Sequence, residues 1–302
     1  MNIKAVVHEH SFDLPSHSID RSQRLVWALH AIEEKGGRLQ LNRDLASSEQ
    51  LAKVHARAYI DGIKALAELN AGWHLDPELI IGEWSYAAAA AAAGSLTTMT
   101  VEALSGEEEM IPFCLSRPGS HHAGSDYGMG LCIFNNLAVA AATALDQGLV
   151  ERAVIIDFDA HHGNGTEEIF ANESRVLTVS MHEYPFFPGS GAAGQEHAMS
   201  NLNLILAAGA GDDEACRKFS EGVRRILDFH PELILVEAGC DGHSQDWTTN
   251  LDYGDAAFRF FGDQIAMISD ECDAPLVVEV GGGYTEAAVI QGLGAFMEGL
   301  RR

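Results

Sequence analysis

Positive charge is what this sequence holds least of. Nineteen Lys and Arg stand against 44 Asp and Glu, a formal net charge of −25 with the histidines neutral. A protein that tracks a phosphate backbone needs clustered Lys and Arg to displace counterions, so no nucleic-acid partner is expected. The field of such a chain attracts cations instead. Cysteine is sparse as well. Cys114, Cys132, Cys216, Cys240 and Cys272 are odd in number and contain no C-x-x-C pair, which argues against a disulfide framework and a cysteine zinc site. Free thiols in a reducing cytosol are the expectation. Long apolar runs are missing too. The most conspicuous, the seven alanines at 87–93, falls far short of the roughly 20 residues that cross a bilayer. Residues 1–9 lack the apolar stretch of a secretory signal, and no G-x-x-x-x-G-K-[ST] loop is present to cradle a nucleotide phosphate. These absences predict a soluble, cytoplasmic protein with no membrane partner.

What is present is ordinary in bulk and unusual in arrangement. Apolar residues make up 47% and charged residues 21%, a globular balance. No linker-like stretch or fixed-period repeat divides the chain, so one domain over 1–302 is expected. Strands are predicted at 3–7, 111–115, 153–158, 175–180, 202–206, 232–237 and 275–280. Most are runs of Val, Ile and Leu without strict alternation, the pattern of strands covered on both faces. Helices are predicted near 20–35, 47–69, 83–104, 135–147, 165–171, 213–229, 254–271 and 285–299. The alanine run falls inside one of them, where helix propensity alone explains it. Strand–helix–strand repetition implies an α/β fold, a three-layer αβα sandwich with a mainly parallel central sheet.

In such sheets ligands bind beyond the carboxyl ends of the strands, and this sequence gathers its metal-capable and acid/base residues there. Asp159-x-His161 follows the 153–158 strand. Residues two apart in an extended chain share a side, and a carboxylate with an imidazole suits Zn²⁺ or a similar divalent ion. An isolated D-x-H is usually an ordinary polar loop. Asp157, Asp159, His161 and His162 before Gly-Asn-Gly are harder to explain that way. Asp241 follows the 232–237 strand. Alone it reads as a helix N-cap; with the others it completes a set of two Asp and one His, leaving the open position that a catalytic zinc requires. His121-His122, on the loop after 111–115, is an acid/base candidate, with Asp157 and Asn164 available to fix the ring tautomers. Gly281-Gly-Gly-Tyr284 either marks a tight turn or lets backbone approach a ligand with the Tyr284 hydroxyl aimed inward.

Taken in order, RPGSHHAG at 117–124, GLCIFNN at 130–136, IDFDAHHGNGT at 156–166, SMHEYPFFPG at 180–189, EAGCD at 237–241 and GGGY at 281–284 resemble the histone deacetylase family, within the arginase–deacetylase fold. RSQRL at 21–25 echoes the family's early helix, and the likeness runs over roughly residues 1 to 299. The wording is closest to class II and bacterial histone deacetylase-like amidohydrolases. The resemblance implies that Asp159, His161 and Asp241 hold one Zn²⁺ per chain, with Fe²⁺ or Co²⁺ equally compatible. It implies that His122 is the general base, that His121 supports it as electrostatic stabiliser or acid, and that Asp157 and Asn164 orient the two rings. Tyr284 matches the oxyanion donor. Gly130, Leu131, Phe187 and Gly282 match substrate-binding positions, and Asp157 with Ser180 matches a structural K⁺ site. Leu131 stands where many relatives carry Phe, which predicts a less tightly walled tunnel, and Asn164 replaces the Asp of class I relatives. The implied activity is hydrolysis of an acyl amide, acetyl-lysine-like or an acetylated amine, with a cationic substrate favoured by the net charge. A homo-oligomer is compatible with all of this. Two alternatives are a dinuclear arginase-type ureohydrolase and a non-catalytic metal-binding protein of the same fold. Gly163, where a second metal would need Asp, speaks against the first; Tyr284 and both histidines speak against the second.

Overall fold

The computed structural model describes residues 2–301 except 13, 15–19, 43, 107–109 and 195–199; the outermost residues of the expected domain, Met1 and Arg302, lie outside the described residues. Its first third contains β1 (Asn2–His8), α1 (Gln23–Glu34), β2 (Arg38–Asn42), α2 (Ser48–Leu51), α3 (Arg57–Leu69), the antiparallel pair β3 (Trp73–His74) and β4 (Ile80–Ile81), and α4 (Ser85–Ser105). There follow β5 (Met110–Leu115), α5 (Asn136–Asp146), β6 (Ala153–Asp157), α6 (Asn164–Phe170), β7 (Val176–Glu183), β8 (Asn201–Leu206) and α7 (Asp212–Phe229). The chain closes with β9 (Leu233–Ala238), α8 (Asp255–Cys272), β10 (Leu276–Val280) and α9 (Glu286–Leu300).

Eight of these strands form one wholly parallel sheet in the order β2-β1-β5-β10-β9-β6-β7-β8. Side chains alternate across a strand, and the apolar runs therefore feed two cores. Val154 and Ile156 join the cluster on one face while Ile155 joins the other; Ile234 and Val236 oppose Leu233 and Leu235 in the same way. The three-layer sandwich follows from central strands that bury apolar residues on both faces. Ala88 to Ala93 are all buried in α4, which packs against α5 and the sheet, so the alanine run is a packing feature. Among the described residues no helix is long and apolar enough to cross a membrane.

All seven predicted strands form; the short β3 and β4 are additions, and so, at the sheet edge, is β2. Its sequence, RLQLN, is almost wholly exposed at the sheet edge, so it lacks the buried apolar run that marks the others. The helix expected over 47–69 is two helices. The chain turns between Leu51 and Arg57 because His55 is drawn into the protein. Its Nδ1–H donates to the Gly124 carbonyl at 2.9 Å, and its Nε2 accepts from the Asn135 amide at 2.9 Å.

Burial pushes the pKa of His55 down to about 4 from an ordinary 6.5. The unfolded chain therefore binds the extra proton between these values, and stability rises with pH across the window. The contribution is present above about pH 6.5 and lost as pH falls through 4, on the order of 3 kcal/mol at about 1.4 kcal/mol per unit. Urea unfolding of the wild type and His55→Gln should show stabilities that converge by about that amount between pH 6.5 and 4. A pH-independent difference would contradict this assignment.

Candidate active site

β10, β9 and β6 are neighbours at the centre of the sheet, so the loops leaving their carboxyl ends meet although their sequences are far apart. Asp159 and His161 follow β6, Asp241 follows β9, and the Gly281–Gly283 run with Tyr284 follows β10. His161 Nδ1 lies 3.1 Å from Asp159 Oδ1 and 2.9 Å from Asp241 Oδ2. One ligand atom from each of the three residues falls within 4.8 Å of the others. Among the described residues this is the one cluster of three such donors that could hold a metal ion.

The surrounding backbone aims these groups. The remaining Asp159 lone pairs accept from the amides of Gly282 at 2.7 Å and His161 at 3.0 Å, and Asp241 Oδ1 accepts from the Ala160 amide at 2.9 Å. Asp241 is therefore no helix cap. Gly282 is required by this approach, because a Cβ there would overlap the carboxylate oxygens of both Asp159 and Asp241. Both aspartates are buried, and two buried carboxylates beside one another demand a positive charge. Burial and the Asp159 charge push Asp241 up to about 6. Burial opposes a charge on His161, but its bonds to both aspartates outweigh that and hold its pKa well above the ordinary value. Two carboxylates and one imidazole nitrogen, with their other lone pairs already engaged, are a fitting donor set for a divalent ion of the Zn²⁺ type.

The tandem histidines flank this centre with their rings 4.0 Å apart. His121 Nδ1 pairs with Asp157 Oδ2 at 2.8 Å, and His122 Nδ1 with Asn164 Oδ1 at 2.8 Å. An amide oxygen only accepts, so His122 carries its proton on Nδ1 and leaves Nε2 free. Burial opposes a charged His121, yet Asp157 and Asp159 prevail and raise it to about 9. Burial, with His121 and His161, drives His122 well below its ordinary value. The pKa values of these two adjacent imidazoles are thus pushed in opposite directions. Asp157 also stands opposite Ser180 in the β6–β7 register, and the Ser180 hydroxyl accepts from the Gly163 amide at 3.3 Å and pairs with His182 Nδ1 at 2.9 Å.

A cavity of about 330 Å³ opens onto His122, His161 and Tyr284, with Gly130, Leu131, Phe186 and Phe187 as its walls. Glu78, Trp247 and Thr248 complete its lining. His122 meets Phe187 edge-on, with centroids 5.2 Å apart, and Phe186 stacks on His161 at 5.5 Å. Gly130 has φ 53°, and a Cβ there would crowd His122 and Phe187. Leu131 is also left-handed, φ 67°, with its side chain buried. Gly282 lines a smaller pocket that shares His122, Gly130, Leu131, His161 and Tyr284 with this cavity. Burial holds the Tyr284 phenol well above its ordinary range despite the Arg24 guanidinium 4.6 Å from its ring centroid, so the hydroxyl remains a donor. The Arg24 side chain also grips the Gly281 and Gly283 carbonyls, at 2.5 and 2.6 Å. The expected residue Gly282 meets this group through its amide, which supports Asp159. Glu78, Trp247 and Asp246 are additions that lie in no quoted segment, while Arg24 and Phe186 lie in RSQRL and SMHEYPFFPG but carried no expected role.

Comparisons with known proteins bear on the family and the fold. The model of the histone deacetylase domain matches residues 17–300. The histone deacetylase-like amidohydrolase of Pseudomonas aeruginosa is 35% identical over 263 residues, which cover 83% of this chain and 68% of that protein. The HD domain of HDA15 superposes with a TM-score of 0.85 at 27% identity, over 99% of this chain and 92% of that one. An acetylpolyamine aminohydrolase from Burkholderia pseudomallei shares the fold, with a TM-score of 0.87 at 21% identity over 98% of each chain.

Proposed function

This chain belongs to the histone deacetylase family, and from that premise we propose that it is a metal-dependent deacylase that hydrolyses the amide of an acylated amine. The observation that supports the reading best is a cavity lined by His122, His161 and Tyr284, with Asp159 and Asp241 grouped on His161 and with His121 beside His122 but differently paired. Held by the donor set, a divalent ion would polarise the substrate carbonyl and lower the pKa of water from about 15.7 towards 7. The protein supplies the rest. His122 Nε2 takes the proton of the attacking water, with Asn164 fixing the tautomer, and returns it to the departing amine. His121, paired with Asp157, places positive charge beside the reacting carbonyl. Tyr284 donates to the oxygen as negative charge develops there. Asp157 and Ser180, facing each other across two strands, frame the position for a structural K⁺.

A single three-residue donor cluster among the described residues favours a mononuclear centre over an arginase-type pair. The test is hydrolysis of acetyl-lysine amides and N-acetylated diamines by protein loaded in turn with Zn²⁺, Fe²⁺ or Co²⁺. Release of free amine that a chelator abolishes is expected. No release from any acyl amide with any of the three ions would overturn the proposal.

The amine side of the substrate is proposed to be cationic. Glu78 sits on the β3–β4 turn, held in place by Asp76, whose carboxylate accepts from the Glu78, Leu79 and Gly130 amides, each at 2.7 Å. The Glu78 backbone is thereby held where the residue lines the cavity, together with Trp247, which is 67% exposed. At low salt, amides bearing a second positive charge should show the higher kcat/KM, and the advantage should shrink as salt is added. Glu78→Gln should cut the advantage about two- to fivefold, the size of an exposed ion pair. Preference for an anionic amide under the same conditions would reverse this assignment.

A further inference from the structure

We infer that Asp246 is a positioning residue, which sets the Tyr284 hydroxyl by tying the Tyr284 backbone to the loop that carries Trp247 and Thr248. The inference rests on the deacylase reading given above. Asp246 lies five residues beyond Asp241, in none of the segments that resemble the family. Its carboxylate is buried, and both oxygens are engaged. Oδ2 accepts from the Tyr284 amide at 2.6 Å and the Thr285 amide at 3.2 Å, while Oδ1 accepts from the Thr248 amide at 3.0 Å and its hydroxyl at 2.6 Å. Bonds to a carboxylate are roughly twice as strong as those between neutral groups, so one side chain fastens two segments of the cavity lining.

Tyr284 needs such a fastening. It follows three glycines, and Gly282 must be glycine to pass the carboxylates of Asp159 and Asp241. Gly283 sits at φ 125°, a conformation that side-chain-bearing residues rarely adopt. A backbone this permissive does not fix the direction of the tyrosine that follows it. Arg24 restrains the glycine carbonyls from one side. Asp246 restrains the tyrosine amide from the other, and Thr285 continues the restraint by donating to the Gln245 carbonyl at 2.9 Å and capping α9. Asp246 does not line the cavity, so its effect on chemistry passes through Tyr284. An oxyanion donor displaced by a fraction of an ångström loses transition-state stabilisation while the ground-state complex is little changed.

The test uses the full-length, metal-loaded protein and four forms: wild type, Asp246→Asn, Tyr284→Phe and the double variant. Asparagine keeps the size and one acceptor oxygen, so it spares the fold better than alanine. In Asp246→Asn, kcat should fall about tenfold, with KM and bound metal within about twofold of wild type. In the Tyr284→Phe background the same substitution should cost less than about twofold, because residues that act as a unit are not additive. An equal loss in both backgrounds, an unchanged kcat, or a loss of metal would overturn the inference. A second readout does not depend on turnover. With 3-fluorotyrosine incorporated, the ¹⁹F resonance of Tyr284, identified by its absence in Tyr284→Phe, should shift or broaden in Asp246→Asn while those of the other tyrosines hold. An unmoved Tyr284 resonance refutes the positioning role. A wild type inactive on every acyl amide, with a displaced resonance in the variant, would refute the deacylase reading and leave the positioning role standing.

Discussion

Asp241→Ala is expected to lose the bound metal and, with it, at least about 10³ of kcat/KM, since a metal's Lewis acidity and its effect on water are worth several kcal/mol. The loss follows from charge and placement. Asp241 is fully buried, one of its oxygens faces His161 and the other accepts from the Ala160 amide. Alanine removes one of two anions from the donor set and leaves that amide without its acceptor. Asp241→Asn separates the two effects, because an amide oxygen can still accept from Ala160 yet brings no charge. Metal per chain, measured by elemental analysis on protein shown to be folded by circular dichroism, should fall from about one to near zero in the alanine variant. Full occupancy in a folded Asp241→Ala protein would remove Asp241 from the metal set.

Tyr284→Phe should retain substrate binding and lose about 10²–10³ in kcat, the usual cost of deleting one oxyanion donor, about 3–4 kcal/mol. The ring can remain under the Arg24 guanidinium, where it now lies at 4.6 Å, so packing is conserved and the hydroxyl alone is removed. A donor that strengthens only as negative charge develops stabilises the transition state selectively. Steady-state kinetics should therefore show kcat and kcat/KM falling together with KM steady. A loss confined to KM would make Tyr284 a binding residue.

The sheet was legible because its strands carry apolar residues on both faces, and a periodicity argument detects that directly. β2 escaped it for the complementary reason: an edge strand exposed on both faces has no buried run to betray it. The division of 47–69 into two helices was hidden because the break is imposed from outside, by Gly124 and Asn135 closing on His55. The same distinction governs the site. Asp159, His161, His121, His122 and Tyr284 sit in short segments whose composition is odd enough to be noticed. Asp246 and Tyr284 are 38 residues apart, and Glu78 enters the cavity through a turn organised by Asp76 and Gly130. Such relationships exist only after the chain has folded. Asp241 illustrates the middle case: alone its type and position fit a helix cap, beside Asp159 and His161 they fit a ligand, and the bond from the Ala160 amide agrees with the second.

The strand order carries a consequence for how the protein comes into being. β10 is the last strand along the described chain, yet it lies between β5 and β9 near the middle of the sheet. Until it is synthesised, β2, β1 and β5 cannot be joined to β9, β6, β7 and β8, and the apolar edges of both half-sheets stay open. Parallel pairing across such sequence distances is slow to form, and open strand edges invite wrong partners. A nascent chain on the ribosome thus carries Asp159, His161 and Asp241 for some time before Gly282, which donates to Asp159 and closes the group from behind, can arrive. Until then Asp159 lacks the bond from Gly282, and a chain truncated before β10 would be left with two half-sheets whose facing edges are unpaired.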